Sequence, residues 1–188
     1  MSLFPLNTRE TAPQGSHAVM DAYVERFGFV PNLIGILSSS PAATQGYAQT
    51  YGLLGETAFS LAEQQLLFLT VSRENGCQYC VAAHTMAGRM AGLDEDSLNA
   101  VRNSQPLLDP KLAALSDFAV KVVNKRGQLN HDDVHDFLAA GYTQAQILDV
   151  LLGVATKTIS NYMNHIAETP LDPQFAKDAW EPRVSSAA

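Results

Sequence analysis

The sequence of 188 residues is poor in cysteine and in basic side chains, and it contains no long uninterrupted apolar run. Twelve Lys and Arg residues against nineteen Asp and Glu residues give a formal net charge of −7. This surplus of negative charge argues against nucleic acid or an acidic membrane surface as the main partner. The apolar stretch 147–159 is interrupted by Asp149 and Lys157, so no segment approaches the ~18 consecutive apolar residues of a membrane span.

The first residues also lack the basic segment followed by an apolar segment that marks a secretory signal peptide. We therefore expect a cytoplasmic protein. Thiols stay reduced in the cytoplasm, where a disulfide is usually transient and chemical. The only two cysteines of the sequence are accordingly not expected to form a structural cross-link.

Alternation with a period of two residues is almost absent, whereas helix-start signals recur along the chain. Capping side chains before proline and reciprocal capping boxes both mark the first turn of a helix. The signals are Ser40-Pro41, Asp109-Pro110 and Asp172-Pro173, capping boxes at 60–63 and 143–146, and the single caps Asp94 and Asn130.

These signals predict helices at about 17–28, 41–56, 61–74, 77–91, 94–103, 110–125, 131–139 and 143–166. The segment 29–37 is expected to be an apolar connection that packs on the core. The sequence therefore predicts an all-α helical bundle. We expect one domain spanning 1–188, with residues 1–12 and 181–188 as tails.

Both cysteines lie in one short segment, RENGCQYCVAAHT at residues 73–85. On a helix, Cys77, Cys80 and His84 share one face, because they stand at i, i+3 and i+7. Free N–H groups at the helix start favour a thiolate, most strongly at Cys77. The His84 ring leans towards the helix N-terminus and is expected to reach the Cys80 sulfur and take its proton. We predict Cys80 as the nucleophile and Cys77 as a more exposed resolving thiol, which suits attack on a peroxide followed by disulfide closure.

Two other interpretations of this segment stay open. In the first, the cysteines are small core hydrophobes beside a hydrogen-bonded histidine, since free cysteine is often buried. In the second, Cys-x-x-Cys is half of a zinc site that His131 and His135, at i and i+4, would complete. The ~50 residues between the two pairs exceed the usual finger spacing. The neighbouring residues Asp132, Asp133 and Asp136 indicate a solvated helix face instead.

The segment SLAEQQLLFLTVSRENGCQYCVAAHTMAG, residues 60–88, resembles the core of the AhpD-like, carboxymuconolactone decarboxylase superfamily, specifically its peroxidase-related branch. PNLIG at 31–35 and NYMNHIAETPLD at 161–172 are similar to the same branch. The resemblance implies an AhpD-like all-α fold that assembles into homo-oligomers, often trimers or hexamers. It also implies reduction of hydroperoxides through a reversible disulfide, with no metal or organic cofactor and with an external dithiol reductant or redox partner protein.

The resemblance also implies roles for individual residues. In that family the second cysteine of the motif attacks the peroxide and the first resolves it, which are Cys80 and Cys77 here, and the motif histidine is His84. The better-studied members carry a glutamate twelve positions before the first cysteine, where this chain has Gln65. A glutamine holds the ring by a hydrogen bond but brings no charge that would stabilise an imidazolium. Proton relay is therefore expected to be slower here or to use another partner.

Three further residues are candidates for that relay or for the lining of the pocket. Asn161 and His165 stand one turn apart on the last long helix and offer polar groups within an apolar stretch. Capping of the helix end explains these two residues equally well. Tyr79 lies between the cysteines and either lines the pocket or packs over it, and packing is the simpler explanation.

The leading functional hypothesis is a thiol-dependent peroxidase. A lactone decarboxylase or isomerase of the same superfamily would work by proton transfer and would not need the cysteine pair. A non-catalytic redox sensor would oxidise once without sustained turnover. The alanines and leucines around the thiols favour an apolar pocket and hence an organic hydroperoxide.

Overall fold

The computed structural model describes residues 3–182, so positions 1–2 and 183–188 of the two predicted tails lie outside the described residues. Within residues 3–182 the chain forms nine α-helices and no strand, which confirms the all-α prediction for this part. The helices are α1 (His17–Phe27), α2 (Asn32–Leu37), α3 (Pro41–Leu54), α4 (Leu61–Glu74), α5 (Gln78–Met90), α6 (Glu95–Arg102), α7 (Pro110–Lys125), α8 (His131–Ala139) and α9 (Gln144–Ala167). Short 3-10 helices span Gln14–Ser16 and Pro173–Asp178.

The helix starts use the capping side chains that the sequence offers. Ser60 and Glu63 cap each other at the start of α4, and Thr143 and Gln146 do the same at α9. These reciprocal caps satisfy backbone N–H groups that have no partner within the helix. Side-chain caps are also made at α3, α6, α7 and α8 by Ser40, Asp94, Asp109 and Asn130.

The apolar connection predicted at 29–37 contains a helix, α2, which the local sequence does not indicate. Both carboxylate oxygens of Asp172 accept the backbone N–H of Asn32, at 3.1 and 3.2 Å. The group that satisfies this helix start is therefore far away in the chain, whereas sequence signals for a cap involve neighbouring positions. The prediction that Asp172 caps the helix after it is wrong, because its side chain makes no cap of the 3-10 helix at Pro173–Asp178.

Helix α4 lies at the centre of the fold, and its residues 63–72 are all buried. It packs against α5, α7 and α9. The contact with α9 is close at Gly153, where an added Cβ would lie 2.6 Å from Cδ2 of Leu67. Only a glycine permits this approach, and it brings the buried face of α9 next to the helices that carry Gln65 and the cysteines.

Part of the predicted N-terminal tail packs on the helices. The N–H of Asn7 donates to the carbonyl of Gly35 at 3.3 Å, and Ala12 is buried. Arg9 forms an exposed ion pair with Asp21 of α1. The described residues of the N-terminal segment therefore have defined contacts with α1 and α2.

Helix α9 is long, at 24 residues, but it is interrupted by polar side chains. No single helix of residues 3–182 is long and apolar enough to cross a membrane. Helices α8 and α9 reach that length and hydropathy only when they are taken together across a bend of 108°.

Candidate active site

The two cysteines lie where the chain turns into α5. Gly76 adopts φ of +67°, a left-handed conformation that favours glycine, and Cys77 is the residue immediately before the helix. Cys77 and Cys80 are both free thiols, with 1% and 2% of their surfaces exposed. Cys77 is therefore not the more exposed partner that we expected, because the buried face of α9 covers both sulfurs.

Two polar side chains of α9 contact the Cys80 sulfur. Asn164 Nδ2 donates to it from 3.2 Å, and Ser160 Oγ lies 3.9 Å away as an acceptor for the thiol. Burial raises the pKa of Cys80, but a hydrogen bond from the Cys77 thiol, the charge of Lys157 and the polar groups of α9 outweigh it. The pKa of Cys80 is thus lowered well below its ordinary value, and this sulfur is set up to be a thiolate.

Cys77 has the opposite character. Its thiol donates to the Cys80 sulfur, and this hydrogen bond together with burial raises its pKa. Asn164 Nδ2 lies 3.7 Å from the Cys77 sulfur and so contacts both thiols. The pair therefore combines one thiolate-favouring sulfur, Cys80, with one protonated thiol, Cys77.

The His84 ring is held from both sides, and neither of these partners is a cysteine. Its Nδ1 lies 2.9 Å from Gln65 Oε1, and its Nε2 lies 2.8 Å from Lys157 Nζ. Because an amide oxygen only accepts, Nδ1 carries the proton and Nε2 is the acceptor. Burial first, and the charge of Lys157 second, lower the pKa of His84 well below its ordinary value. His84 is therefore a neutral imidazole in this site.

Lys157 is the functional candidate that the sequence analysis did not identify. Its surface is 0% exposed, and its Nζ also lies 5.4 Å from the centre of the Phe68 ring. The signal was present in the sequence, because a single lysine interrupts a long apolar helix. Together with Gly153, Ser160 and Asn164 it follows the helical period, which places all four on one face of α9.

The two α9 candidates from the sequence have different positions. Asn161 is fully buried, and its Oδ1 accepts a hydrogen bond from Asn75 at 2.8 Å while its side chain contributes to lowering the pKa of Cys80. His165 is exposed near the end of the helix, and among the described residues no hydrogen bond joins it to the thiols. Proton relay through His165 is thus not supported by its position.

Tyr79 connects the site to the C-terminal 3-10 helix. Its hydroxyl donates to the carboxylate of Asp172 and accepts the N–H of Leu33. Its ring makes an edge contact with Phe175, at 5.8 Å between centroids. Tyr79 therefore has a packing role and also lines the pocket, so both interpretations of this residue hold.

A small cavity of about 70 Å³ has Cys80 in its wall. Six of the fourteen residues in its wall are Tyr or Phe, namely Tyr23, Phe27, Tyr47, Tyr51, Tyr79 and Phe175. Cys80, His84 and Lys157 line the same space. The arrangement suits a compact apolar molecule with one reactive bond directed at the Cys80 sulfur.

The four side chains of the alternative zinc site do not lie close together. No group of three or more His, Cys, Asp and Glu side chains in residues 3–182 is arranged to hold a metal ion. His131 and His135 stack on each other on the exposed side of α8, whereas the two cysteines are buried. These four side chains therefore do not form one site.

Sequence comparison matches residues 41–105 to the carboxymuconolactone decarboxylase family. This segment extends from α3 past the end of α6 and contains Gln65, Cys77, Cys80 and His84. No curated protein is significantly similar to the chain in sequence.

Three solved structures share the fold over nearly the whole chain. The alkylhydroperoxidase AhpD core protein of Ralstonia eutropha JMP134, an uncharacterized peroxidase-related protein, is 22% identical, with a TM-score of 0.83 over 93% of this chain and 94% of its own. A peroxidase-related protein of Silicibacter sp. TM1040 is 20% identical, with a TM-score of 0.78 over 92% of each chain. The debrominase Bmp8 in complex with 2,3,4-tribromopyrrole is 14% identical, with a TM-score of 0.78 over 95% of this chain and 96% of its own.

The likeness to these structures shows the fold, which is the AhpD-like bundle that the sequence predicts. The matched segment adds the sequence evidence, because it carries the cysteine pair on α5 and the glutamine on α4. Residues 41–105 therefore match the carboxymuconolactone decarboxylase family, and the chain has the AhpD-like fold.

Proposed function

We propose that the protein is a thiol-dependent peroxidase that reduces compact organic hydroperoxides through a reversible Cys77–Cys80 disulfide. One observation carries this proposal: a sulfur with a lowered pKa ends an apolar cavity, and a protonated thiol donates to it. The thiolate is the nucleophilic form of cysteine, and the neighbouring thiol is placed to close the disulfide.

The reaction follows from the two protonation states. The Cys80 thiolate attacks the terminal oxygen of ROOH, the O–O bond breaks, and the alkoxide takes up a proton and leaves as ROH. Cys80 is then a sulfenic acid. The Cys77 sulfur attacks the Cys80 sulfur, and hydroxide leaves with the Cys77 proton as water. An external dithiol reduces the disulfide and is itself oxidised, so the balance is ROOH plus dithiol giving ROH, water and a disulfide.

The proposed cycle needs no metal and no organic cofactor, because the two thiols supply both electrons. Its partners are the hydroperoxide and a dithiol reductant or redox protein. The aromatic wall favours an alkyl or aryl hydroperoxide over hydrogen peroxide, since an apolar cavity gains most from an apolar substituent.

The test is consumption of tert-butyl hydroperoxide under dithiothreitol by the wild type, Cys80→Ser and Cys77→Ser. We expect sustained turnover in the wild type and loss of at least two orders of magnitude in Cys80→Ser. Without dithiothreitol, Cys77→Ser is expected to consume one equivalent of hydroperoxide and to leave Cys80 as a sulfenic acid that dimedone traps. Retained turnover in Cys80→Ser would contradict the proposal, and oxidation of the wild type without turnover would favour the redox sensor. Activity on a lactone after alkylation of both thiols would favour the decarboxylase.

A second candidate function is reductive dehalogenation of a small aromatic ring. The observation that favours it is the aromatic wall of the cavity, and the debrominase Bmp8, whose structure contains 2,3,4-tribromopyrrole, shares the fold. The same two thiols would supply two electrons, so that an aryl bromide and two thiols give the arene, hydrogen bromide and a disulfide. Bromide release from a bromopyrrole, measured beside the peroxide assay with the same variants, separates the two functions.

A further inference from the structure

Lys157 is a buried amine that has no carboxylate partner within residues 3–182. None of its surface is exposed, and the salt bridges among residues 3–182 do not include it. Its hydrogen-bond partner is His84 Nε2, and the face of Phe68 lies on another side. A buried cation is costly unless an anion lies close to it, so the site must supply an anion if Lys157 is protonated.

The hydrogen bonds around His84 make Lys157 a hydrogen-bond donor to the ring. Gln65 Oε1 fixes the proton of His84 on Nδ1, which leaves Nε2 as a lone-pair acceptor. Lys157 Nζ, at 2.8 Å, is then the donor to Nε2. An uncharged histidine accepts from the ammonium and does not compete with it as a cation.

Among residues 3–182, the charged and titratable groups around the cavity leave one source for the anion. On α5 these groups are Cys77, Tyr79 and His84, on α1 Tyr23, on α3 Tyr47 and Tyr51, and on α9 Lys157. The nearby carboxylate of Asp172 accepts from Tyr79 and from the N–H of Asn32 instead. Burial raises the pKa of both Tyr47 and Tyr79, and the bond to Cys80 raises the pKa of Cys77. The Cys80 sulfur, which lines the same cavity as Lys157 and accepts a hydrogen bond from Asn164 of α9, is the remaining candidate.

We propose that Lys157 is the buried counter-ion of the Cys80 thiolate. Neutral His84, which Gln65 orients, positions the ammonium group of Lys157. The inference rests on the proposed function and deepens it by naming the residue that keeps its nucleophile charged. It also explains the glutamine at position 65, because a glutamate there would favour an imidazolium, which cannot accept from Lys157. In this pair the Cys80 thiol transfers its proton to the Lys157 amine, which gives a thiolate and an ammonium group.

The experiment is a titration of thiolate absorbance at 240 nm between pH 5 and pH 9, without peroxide. It compares the reduced wild type with Lys157→Met, which keeps the length of the side chain and removes the charge. In the wild type the Cys80 thiolate should form below neutral pH. In Lys157→Met the transition should move up by at least one pH unit, so that the ratio of thiolate to thiol at neutral pH falls at least tenfold. Lys177→Met, which removes a charge from an exposed position, is the matched control and should titrate like the wild type.

An unchanged titration in Lys157→Met would overturn the proposal. If this variant does not fold, the test uses the wild type alone. The measurement is then the ¹⁵N NMR chemical shifts of the ring nitrogens in ¹⁵N-histidine-labelled protein. The proposal requires a neutral His84 with the proton on Nδ1 at a pH where the thiolate absorbs. An imidazolium at that pH, or a Cys80 that remains a thiol at pH 7, would overturn it. A protein that titrates as expected but consumes no hydroperoxide would contradict the proposed function and leave the ion pair standing.

Discussion

At the scale of single residues, Gln65 determines what His84 is able to do. The amide oxygen accepts from Nδ1 at 2.9 Å and carries no charge, and the ring is buried next to Lys157. Both conditions disfavour an imidazolium. The histidine of the motif is therefore a hydrogen-bond acceptor for a lysine here, although its spacing from the cysteines suggested a base that takes the proton of Cys80.

Replacement of Gln65 by glutamate should reverse this state. A carboxylate next to Nδ1 stabilises the imidazolium, so the pKa of His84 should rise by at least one pH unit in Gln65→Glu. The protonated ring can no longer accept from Lys157, and the two cations should repel each other. Histidine ring shifts measured between pH 5 and pH 9 should show a titration of His84 in the variant and none in the wild type.

Gln144→Glu is the control for this prediction, because it adds the same charge at the exposed start of α9. Its His84 ring should remain neutral. A wild-type ring that already titrates near pH 6.5, the usual value for histidine, would contradict the argument.

At the scale of helices, the site depends on how closely α9 approaches α4. Gly153 lies one turn before Lys157, and the side chain of Leu67 occupies the space that a Cβ would need. Leu67 is fully buried, so it has no open direction in which to move. The small residue at 153 therefore sets the depth at which Lys157, Ser160 and Asn164 reach the thiols.

Gly153→Ala should accordingly lower both stability and activity. Alanine favours a helix, but overpacking against Leu67 costs about 1–3 kcal/mol, which exceeds the gain of about 0.5–1 kcal/mol. We expect a lower free energy of unfolding in urea and slower peroxide turnover, because α9 must move away from α4. Gly46→Ala in α3, where an added Cβ meets nothing within 4 Å, should instead be neutral or stabilising. A Gly153→Ala variant as stable as Gly46→Ala would show that Leu67 adapts without cost.

At the scale of the whole molecule, one face of α9 is apolar and open. The exposed side chains follow the helical period along its length: Leu148, Leu151, Ala155, Ile159, Tyr162 and Ile166. An exposed apolar stripe on a helix that also carries site residues is typical of a subunit interface. We propose that a second copy of the chain covers this stripe, as the resemblance to an oligomeric family implies.

The stripe predicts the behaviour of the protein in solution. Light scattering after gel filtration should give a mass of several subunits, with a trimer or a hexamer expected. Leu151→Glu, which puts a charge in the middle of the stripe, should shift this mass towards one subunit. Leu108→Glu, at a 90% exposed position outside α9, should leave it unchanged. A wild type with the mass of one chain would refute the interface.

The sequence by itself determined most of the helices and the shared helix face of the two cysteines and His84, because both are local properties. Capping boxes at Ser60 and Thr143 involve neighbouring positions, and Cys77, Cys80 and His84 share a face through the period of one helix. The tertiary structure decided everything that depends on distant segments. Asp172 satisfies the start of α2 from the other end of the chain, and α9 brings Lys157 to His84 and its charge close to Cys80. Protonation states in a buried site depend on which charges and donors come within a few ångströms, and only the packing of helices sets those distances.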